Sequence, residues 1–334
     1  MNKPSTNLDS TGQGKGHRIS ASAGLWLALC LAIVCGSGAS CPGFINSYPS
    51  NMPRVLPTTA SLEDVITVIN TNSGRIQSLH AADAEIYVPG APSASADILL
   101  ERPQRFRLRA ETRLTGPEVD LGSNDELFWF WVKQSPQPAL YYCAHKDFAR
   151  SAARQILPVE PEWLIDAFGI TTLDPAGAHS TPMPVGQGRL RIETRLPRPE
   201  GELKRAIIVD DARGWILEQH LYDAGGKPIA SAILSGHRMD PLSQAILPKQ
   251  VKIIWPVSRM EMTIELKEVT VNNLTGDPRL MWAMPTYNGF HPVDLADPHL
   301  RLSTQPEPLP TNYDETGTPK MSRKPEWVNK LKLF

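Results

Sequence analysis

Gln104-Arg105-Phe106-Arg107-Leu108-Arg109-Ala110-Glu111-Thr112-Arg113 is the stretch that decides the fold class. Phe106, Leu108 and Ala110 alternate strictly with Arg105, Arg107, Arg109 and Glu111. A period of two puts the apolar set on one face and the charges on the other, which predicts an antiparallel strand buried on one side. Working outward, Leu127-Phe128-Trp129-Phe130-Trp131-Val132 is apolar at every position and predicts a strand covered on both sides. Residues 84–88, 96–101 and 140–144 read as further strands of this first group.

The period then changes. Residues 147–157 and 160–168 predict two short helices, the second with Pro161 in its first turn and Gly169 past its end. After a Pro/Gly-rich loop at 174–188, strands resume at 189–196, 204–210, 215–222, 228–235, 249–255 and 260–271. Asp211-Ala212-Arg213-Gly214 and Asp223-Ala224-Gly225-Gly226 are hairpin turns with glycine where a positive φ is wanted. Ahead of the strands, Ser61-Leu62-Glu63-Asp64 is a capping-box-like helix start. Leu62, Val65, Ile66 and Ile69 follow at helical spacing, and Ile76 extends that face. No βαβ rhythm and no internal repeat occurs. The expected fold is α+β and mostly antiparallel: a strongly curved sheet with helices packed on its inner face.

The chain has 334 residues, 41% of them apolar, enough for one large domain or two small ones. A formal net charge of -1 offers no basic footprint for nucleic acid. The N-terminus reads as an export signal: Lys15, His17 and Arg18 precede an apolar run at 21–34 that is short for a membrane span. Gly36-Ser37-Gly38-Ala39-Ser40 then leads to Cys41. Small residues before a cysteine resemble a bacterial lipobox, in which the thiol is acylated and the cysteine becomes the new N-terminus. Gly38 stands where leucine is usual. The expectation is a signal peptide at 1–40 and a lipid anchor on Cys41; cleavage without lipid, or an uncleaved anchor, is the alternative. Pro42, in place of an Asp after the cysteine, points to the outer membrane. Residues 41–60, with Pro42, Pro49, Pro53 and Pro57, read as an extended tether, 61–300 as the folded domain, and 301–334 as a disordered tail. The tail ends in Glu326-Trp327-Val328-Asn329-Lys330-Leu331-Lys332-Leu333-Phe334, either a frayed end or a segment that touches a membrane or partner. With Cys41 lipidated, Cys143 has no disulfide partner and reads as a small buried apolar residue.

Catalysis finds little support. His145, His179, His220, His237, His291 and His299 are scattered without a metal-ligand spacing, and no G-x-S-x-G elbow or phosphate-binding glycine loop occurs. Asp210 and Asp211 are adjacent and would face opposite ways in a strand. No enzymatic activity, cofactor or metal is expected.

Ala96-Asp97-Ile98-Leu99-Leu100-Glu101-Arg102-Pro103-Gln104-Arg105-Phe106-Arg107-Leu108 resembles the lipoprotein-carrier family of LolA and LolB, where a strand ends in a basic residue plus proline and an Arg/aromatic strand follows. Asp120-Leu121-Gly122-Ser123-Asn124-Asp125-Glu126-Leu127-Phe128-Trp129-Phe130-Trp131 looks like that family's turn and aromatic strand. Glu162-Trp163-Leu164-Ile165-Asp166-Ala167-Phe168 occupies its lid position, and Met281-Trp282-Ala283-Met284-Pro285 with Gly289 and Val293-Asp294-Leu295 is similar to its closing strand and loop. The blocks span 61–296 in family order. The resemblance implies an incomplete β-barrel lidded by helices whose interior takes acyl chains, with Arg102 in the place of the family's lid latch. Cys41 suggests an anchored, LolB-like variant, and this chain is longer than either, with extra loops and a tail.

Acyl chains need a concave apolar wall with few polar groups. The candidate wall is Phe106, Leu108, Trp129, Trp131, Tyr142, Trp255, Met260, Met262 and Ile264, and the candidate lid is Trp163, Leu164 and Phe168. The same residues are consistent with a closed, dry core. Two functions stay open: a monomeric envelope lipoprotein, facing the periplasm, that binds acyl chains of lipids or lipoproteins in lipoprotein sorting or lipid transport, or a non-transporting binding or sensing module on the same sheet.

Overall fold

The computed structural model describes residues 52–300 apart from 136, 137, 158, 199, 200 and 258. The expected signal peptide, Cys41, the first part of the expected tether and the expected tail lie outside the described residues. Within them, helix α1 (Leu62–Gly74) opens on the expected capping box: Asp64 N–H donates to Ser61 Oγ at 3.1 Å, and the Asp64 carboxylate accepts Ser61 N–H at 2.8 Å. Val65, Ile66 and Ile69 form its buried stripe, while Ile76 lies past the helix end and is buried with them. The spacer expected at 41–60 is part of the fold from Met52 on: Val55 and Leu56 N–H both bond Ala212 O, and Leu56 is buried.

One open sheet of fifteen strands dominates. Its first half is β1 (Ser78–Tyr87), β2 (Ala94–Glu101), β3 (Arg105–Thr112), β4 (Gly116–Ser123), β5 (Leu127–Val132) and β6 (Ala139–Ala144). A 3-10 turn at His145–Arg150 and helices α2 (Ala153–Ile156) and α3 (Trp163–Ala167) follow, close to the expected helical pair. The second half is β7 (Met183–Pro184), β8 (Arg189–Leu196), β9 (Leu203–Asp210), β10 (Ile216–Tyr222), β11 (Pro228–Ser235), β14 (Gln250–Trp255), β15 (Met260–Glu265) and β16 (Glu268–Val271), with a small separate pair β12 (Arg238–Met239) and β13 (Ile246–Leu247). Helix α4 (Pro278–Met281) and strand β17 (His291–Asp294) close the chain. The spatial order is β17-β6-β5-β4-β3-β2-β1-β15-β14-β11-β10-β9-β8-β7, so among the described residues β17 and β7 are the edges and the sheet is not closed. Every pairing is antiparallel except β17 on β6, which is parallel.

Residues 260–271, expected as one strand, are β15 and β16, both paired to β1 in one unbroken register. The interruption at Leu266 and Lys267 lies opposite Asp83, whose φ of 56° accompanies a bulge between β1 and β2. Strand β4 has no strong sequence signal, because Gly116, Pro117, Asp120 and Gly122 are poor strand formers. Two of these have visible reasons. Asp120 pairs with Arg107, and Gly122 faces Trp129 across the ladder so closely that the indole lies over it. A Cβ on Gly122 would stand 2.1 Å from Trp129 Cζ2. Gly122→Ala is therefore expected to cost about 1–3 kcal/mol through forced displacement of the ring. Urea unfolding followed by tryptophan fluorescence measures it, and an unchanged midpoint would show that the ring is free to move.

The core lies between one sheet face and helices α1 and α3. Phe106, Leu108, Ile98, Leu100, Ile264 and Ile253 contribute from the strands, Val65, Ile66 and Ile69 from α1, and Leu164 and Phe168 in and just past α3. The opposite face is partly covered by residues 278–300. There Trp131 stacks on Tyr287 with ring centres 3.9 Å apart, and Phe290 meets Trp131 edge-on. Arg107, expected at the wet face of β3, is 8% exposed because this strap lies across it. Its Nη1 donates to Met281 O at 3.0 Å, with Leu280 O and Ala283 O within 3.4 Å.

Candidate functional site

A narrow cavity of about 120 Å³ lies between α3 and the core face of β1 to β5, β14 and β15. Strand alternation brings Phe106 and Leu108 of β3, Trp255 of β14, and Met260, Met262 and Ile264 of β15 to its wall. Leu164 of α3 and Phe168 just after it, four residues apart and therefore on one helix face, close it from above. Phe168 meets Phe106 with ring centres 6.2 Å apart.

Four of the expected residues stand elsewhere. Trp129, Trp131 and Tyr142 belong to the opposite face, where Met284, Tyr287 and Phe290 of the strap cover them. The cavity is reached instead by Phe130 and Val132, the other parity of β5. A strand apolar at every position carries no signal for which parity turns inward; the ladder from β3 through β4 sets it. Trp163 projects to the far side of α3, with Asp166, into a second cavity of about 480 Å³ that is also lined by Leu196, Leu203, Arg205 and Leu221. Helix α3 thus separates two cavities, one apolar and one mixed.

Polar ties join α1 and the chain leaving α3, in addition to the apolar packing of Leu164, Ile165 and Phe168 in the core. Asn70 of α1 and Leu173 exchange two hydrogen bonds, each 2.8 Å. Ser73 Oγ donates to Thr171 O at 2.6 Å. Arg102 donates from Nη1 to Ser73 O at 3.0 Å and from Nη2 to Thr172 Oγ1 at 2.7 Å, so one guanidinium spans the end of α1 and the chain leaving α3. Arg205 reaches Thr171 Oγ1 at 3.0 Å and Asp166 Oδ2 at 3.3 Å. Loss of solvent around Asp166 pushes its carboxyl pKa up, with the Arg205 charge opposing.

The cavity has one feature absent from the sequence reading. Glu118 lines it, is 2% exposed, and has an Oε2 with no hydrogen-bond partner. Its Oε1 accepts from Thr115 Oγ1 and lies 3.5 Å from Lys133 Nζ. An enclosed, unpaired acceptor costs about 1–3 kcal/mol, so this arrangement is expensive for an apolar wall. Among the described residues no cluster of His, Cys, Asp and Glu could hold a metal, and no helix is long and apolar enough to cross a membrane. Cys143 is buried at the foot of β6, and burial raises its thiol pKa.

No protein-family model matches the chain, and no curated protein does. Solved structures similar to it include a Vibrio parahaemolyticus domain described as an outer membrane lipoprotein-sorting protein, with TM-score 0.44 and 10% identity over 65% of this chain and 96% of that one. A DUF1329 family protein from Desulfovibrio piger aligns over the same shares with TM-score 0.42 and 11% identity. A LolA superfamily protein from Nitrosomonas europaea does so with TM-score 0.39 and 10% identity, again over 65% and 96%.

Proposed function

We propose that this chain is an exported, lipid-anchored binding protein, tethered through Cys41 and facing the periplasm from the outer membrane, that takes acyl chains of lipids or lipoproteins into the cavity beneath α3. The sheet is read as an incomplete barrel and α3 as its movable cover. The observation that carries this reading is the cavity itself, whose wall is apolar apart from Glu118 and Thr112 and which is roofed by a five-residue helix.

Size decides how it would work. About 120 Å³ is a little less than the roughly 150 Å³ of an engineered cavity that holds one benzene. A long acyl chain gains about 0.8 kcal/mol for each methylene buried, so tight binding needs many of them inside. The closed cavity admits only the end of such a chain. Loading therefore requires α3 to lift, and the bonds to break are those of Arg102, Ser73 and Asn70 to residues 171–173, together with those of Arg205 to Asp166 and Thr171 and of Gln219 to Asp166 O. Each contributes about 0.5–1.5 kcal/mol net, which is small against a chain of a dozen methylenes.

The test is extraction of the purified protein with organic solvent and mass spectrometry of what is released, together with the mature N-terminus. A stoichiometric acyl lipid and an acylated Cys41 are expected. Arg102→Leu removes two ties and is expected to speed exchange of a bound fluorescent fatty acid about tenfold, the equivalent of roughly 1.4 kcal/mol. An empty protein that takes up no acyl probe would exclude the carrier and favour a module that binds protein through the same sheet. Unchanged exchange in Arg102→Leu would remove the latch alone.

A further inference from the structure

Glu118 owes its place in the cavity to a β-bulge. Ala110 of β3 pairs with Val119, but Glu111 pairs with Pro117, so Glu118 is the extra residue of β4. Regular alternation would send Glu118 and Val119 to opposite faces; both line the cavity. Bulges at the rims of curved sheets commonly re-aim one side chain in this way. The side chain so aimed is a carboxylate with one oxygen already held and the other enclosed without a partner. Lys133, whose own side chain is 37% exposed, balances its charge from outside, and Lys133 N–H bonds Glu118 O at 2.9 Å to fix the backbone. The pairings of Ile86 with Ala94, Ser95 with Glu111, Glu111 with Pro117, Tyr87 with Thr263 and Trp255 with Met260 put Glu118 at the same end of the sheet as the β1–β2 and β14–β15 turns. Val88, Ala91 and Pro92 of the first turn and Trp255 and Met260 beside the second line the cavity with it. The head of a chain inserted with its tail toward α3 would rest there.

We infer that Glu118 selects the cargo's head group: it accepts a hydrogen bond from a donor next to the acyl chain, an ammonium or a neutral N–H or O–H, and rejects a chain that ends in a carboxylate. This rests on the acyl-binding reading of the same cavity. A donor would satisfy Oε2, whereas a carboxylate would bring two acceptors and a like charge against it.

Binding of dodecylamine, dodecanol and laurate to the purified protein at pH 7.5, each below its micelle concentration, tests the assignment by calorimetry. Dodecylamine and dodecanol are expected to bind at least about tenfold more tightly than laurate. The ratio between the first two separates a charged from a neutral donor. Glu118→Gln offers a donor of its own and should bring laurate to within about threefold of the others. If that variant does not fold, Lys133→Met, which keeps Glu118 but removes its exposed counter-charge, should weaken laurate further relative to dodecylamine. Laurate binding as tightly as dodecylamine to the native protein, or a preference unmoved in both variants, overturns the role of Glu118 and leaves the cavity reading intact. Failure of all three probes to bind overturns both.

Discussion

Asp120→Ala is expected to destabilise the fold by about 3–5 kcal/mol, because it removes the carboxylate paired with Arg107 beneath the strap and leaves a buried cation behind. Asp120 is 1% exposed and accepts from Arg107 Nη2 at 2.8 Å and Nε at 3.3 Å, from Trp129 Nε1 at 3.2 Å and from Tyr287 OH at 2.8 Å. Four donors from β3, β5 and the strap converge on it. Burial first, and then the charge of Asp120, raises the Tyr287 phenol pKa, so the hydroxyl stays a donor. Without the carboxylate, Arg107 keeps only the carbonyls of 280–283 and its contact with the Trp129 ring, 5.7 Å away. Urea unfolding gives the loss directly. The double replacement Arg107→Leu with Asp120→Leu should cost less than Asp120→Ala alone, since it removes the stranded charge together with its partner. A single-variant loss below about 1 kcal/mol would mean that the stacked Tyr287 and the β17 ladder hold the strap without Asp120.

These two residues show where the sequence was and was not informative. The alternation across 105–111 identified β3 and its core face correctly, because three small-to-large apolar residues share one parity and four charges the other. It assigned Arg107 to solvent, because nothing local to β3 records that residues 278–300 return across that face. The aromatic run of β5 announced a strand with two covers, and it has two, but its parity came only with the pairing of Gly122 to Trp129 and Leu121 to Phe130. Three aromatic residues were therefore placed in the cavity when they belong beneath the strap. In α3 Leu164 and Phe168, four residues apart, turn to the cavity, whereas Trp163, expected beside them as part of one lid, lies about 100° around the helix from Leu164 and faces away. Glu118 was illegible, since a bulge is a property of two strands and a carboxylate next to Pro117 reads as turn chemistry.

Lowering the pH from 7 to 5 is expected to cost the native protein about 2 kcal/mol that a His237→Gln variant does not lose. His237 is buried, its Nε2 donates to Ile216 O at 2.8 Å, and its ring lies against Trp215 with centres 5.4 Å apart. Burial pushes its pKa down from 6.5 to about 4, with the bond to Ile216 opposing. In the unfolded chain the imidazole takes up a proton near pH 6.5; in the folded protein it does so only near pH 4. Between these values the unfolded state binds more protons, so stability falls as pH falls through that window and levels off below it as far as this group is concerned. Gln preserves a donor for Ile216 O and does not titrate, so the difference between the two proteins isolates His237 from the carboxylates of Asp97, Glu193 and Glu218, whose pKa values are lowered by their partners. Those carboxylates remain ionised at pH 5, which is why the comparison stops there. Thermal or urea unfolding at pH 7, 6 and 5 supplies the curve. Parallel curves for the two proteins would mean that the imidazole is reached by solvent in the folded state and that the end of the sheet where Met52–Leu56 packs against Ala212 opens far more readily than its hydrogen bonds suggest.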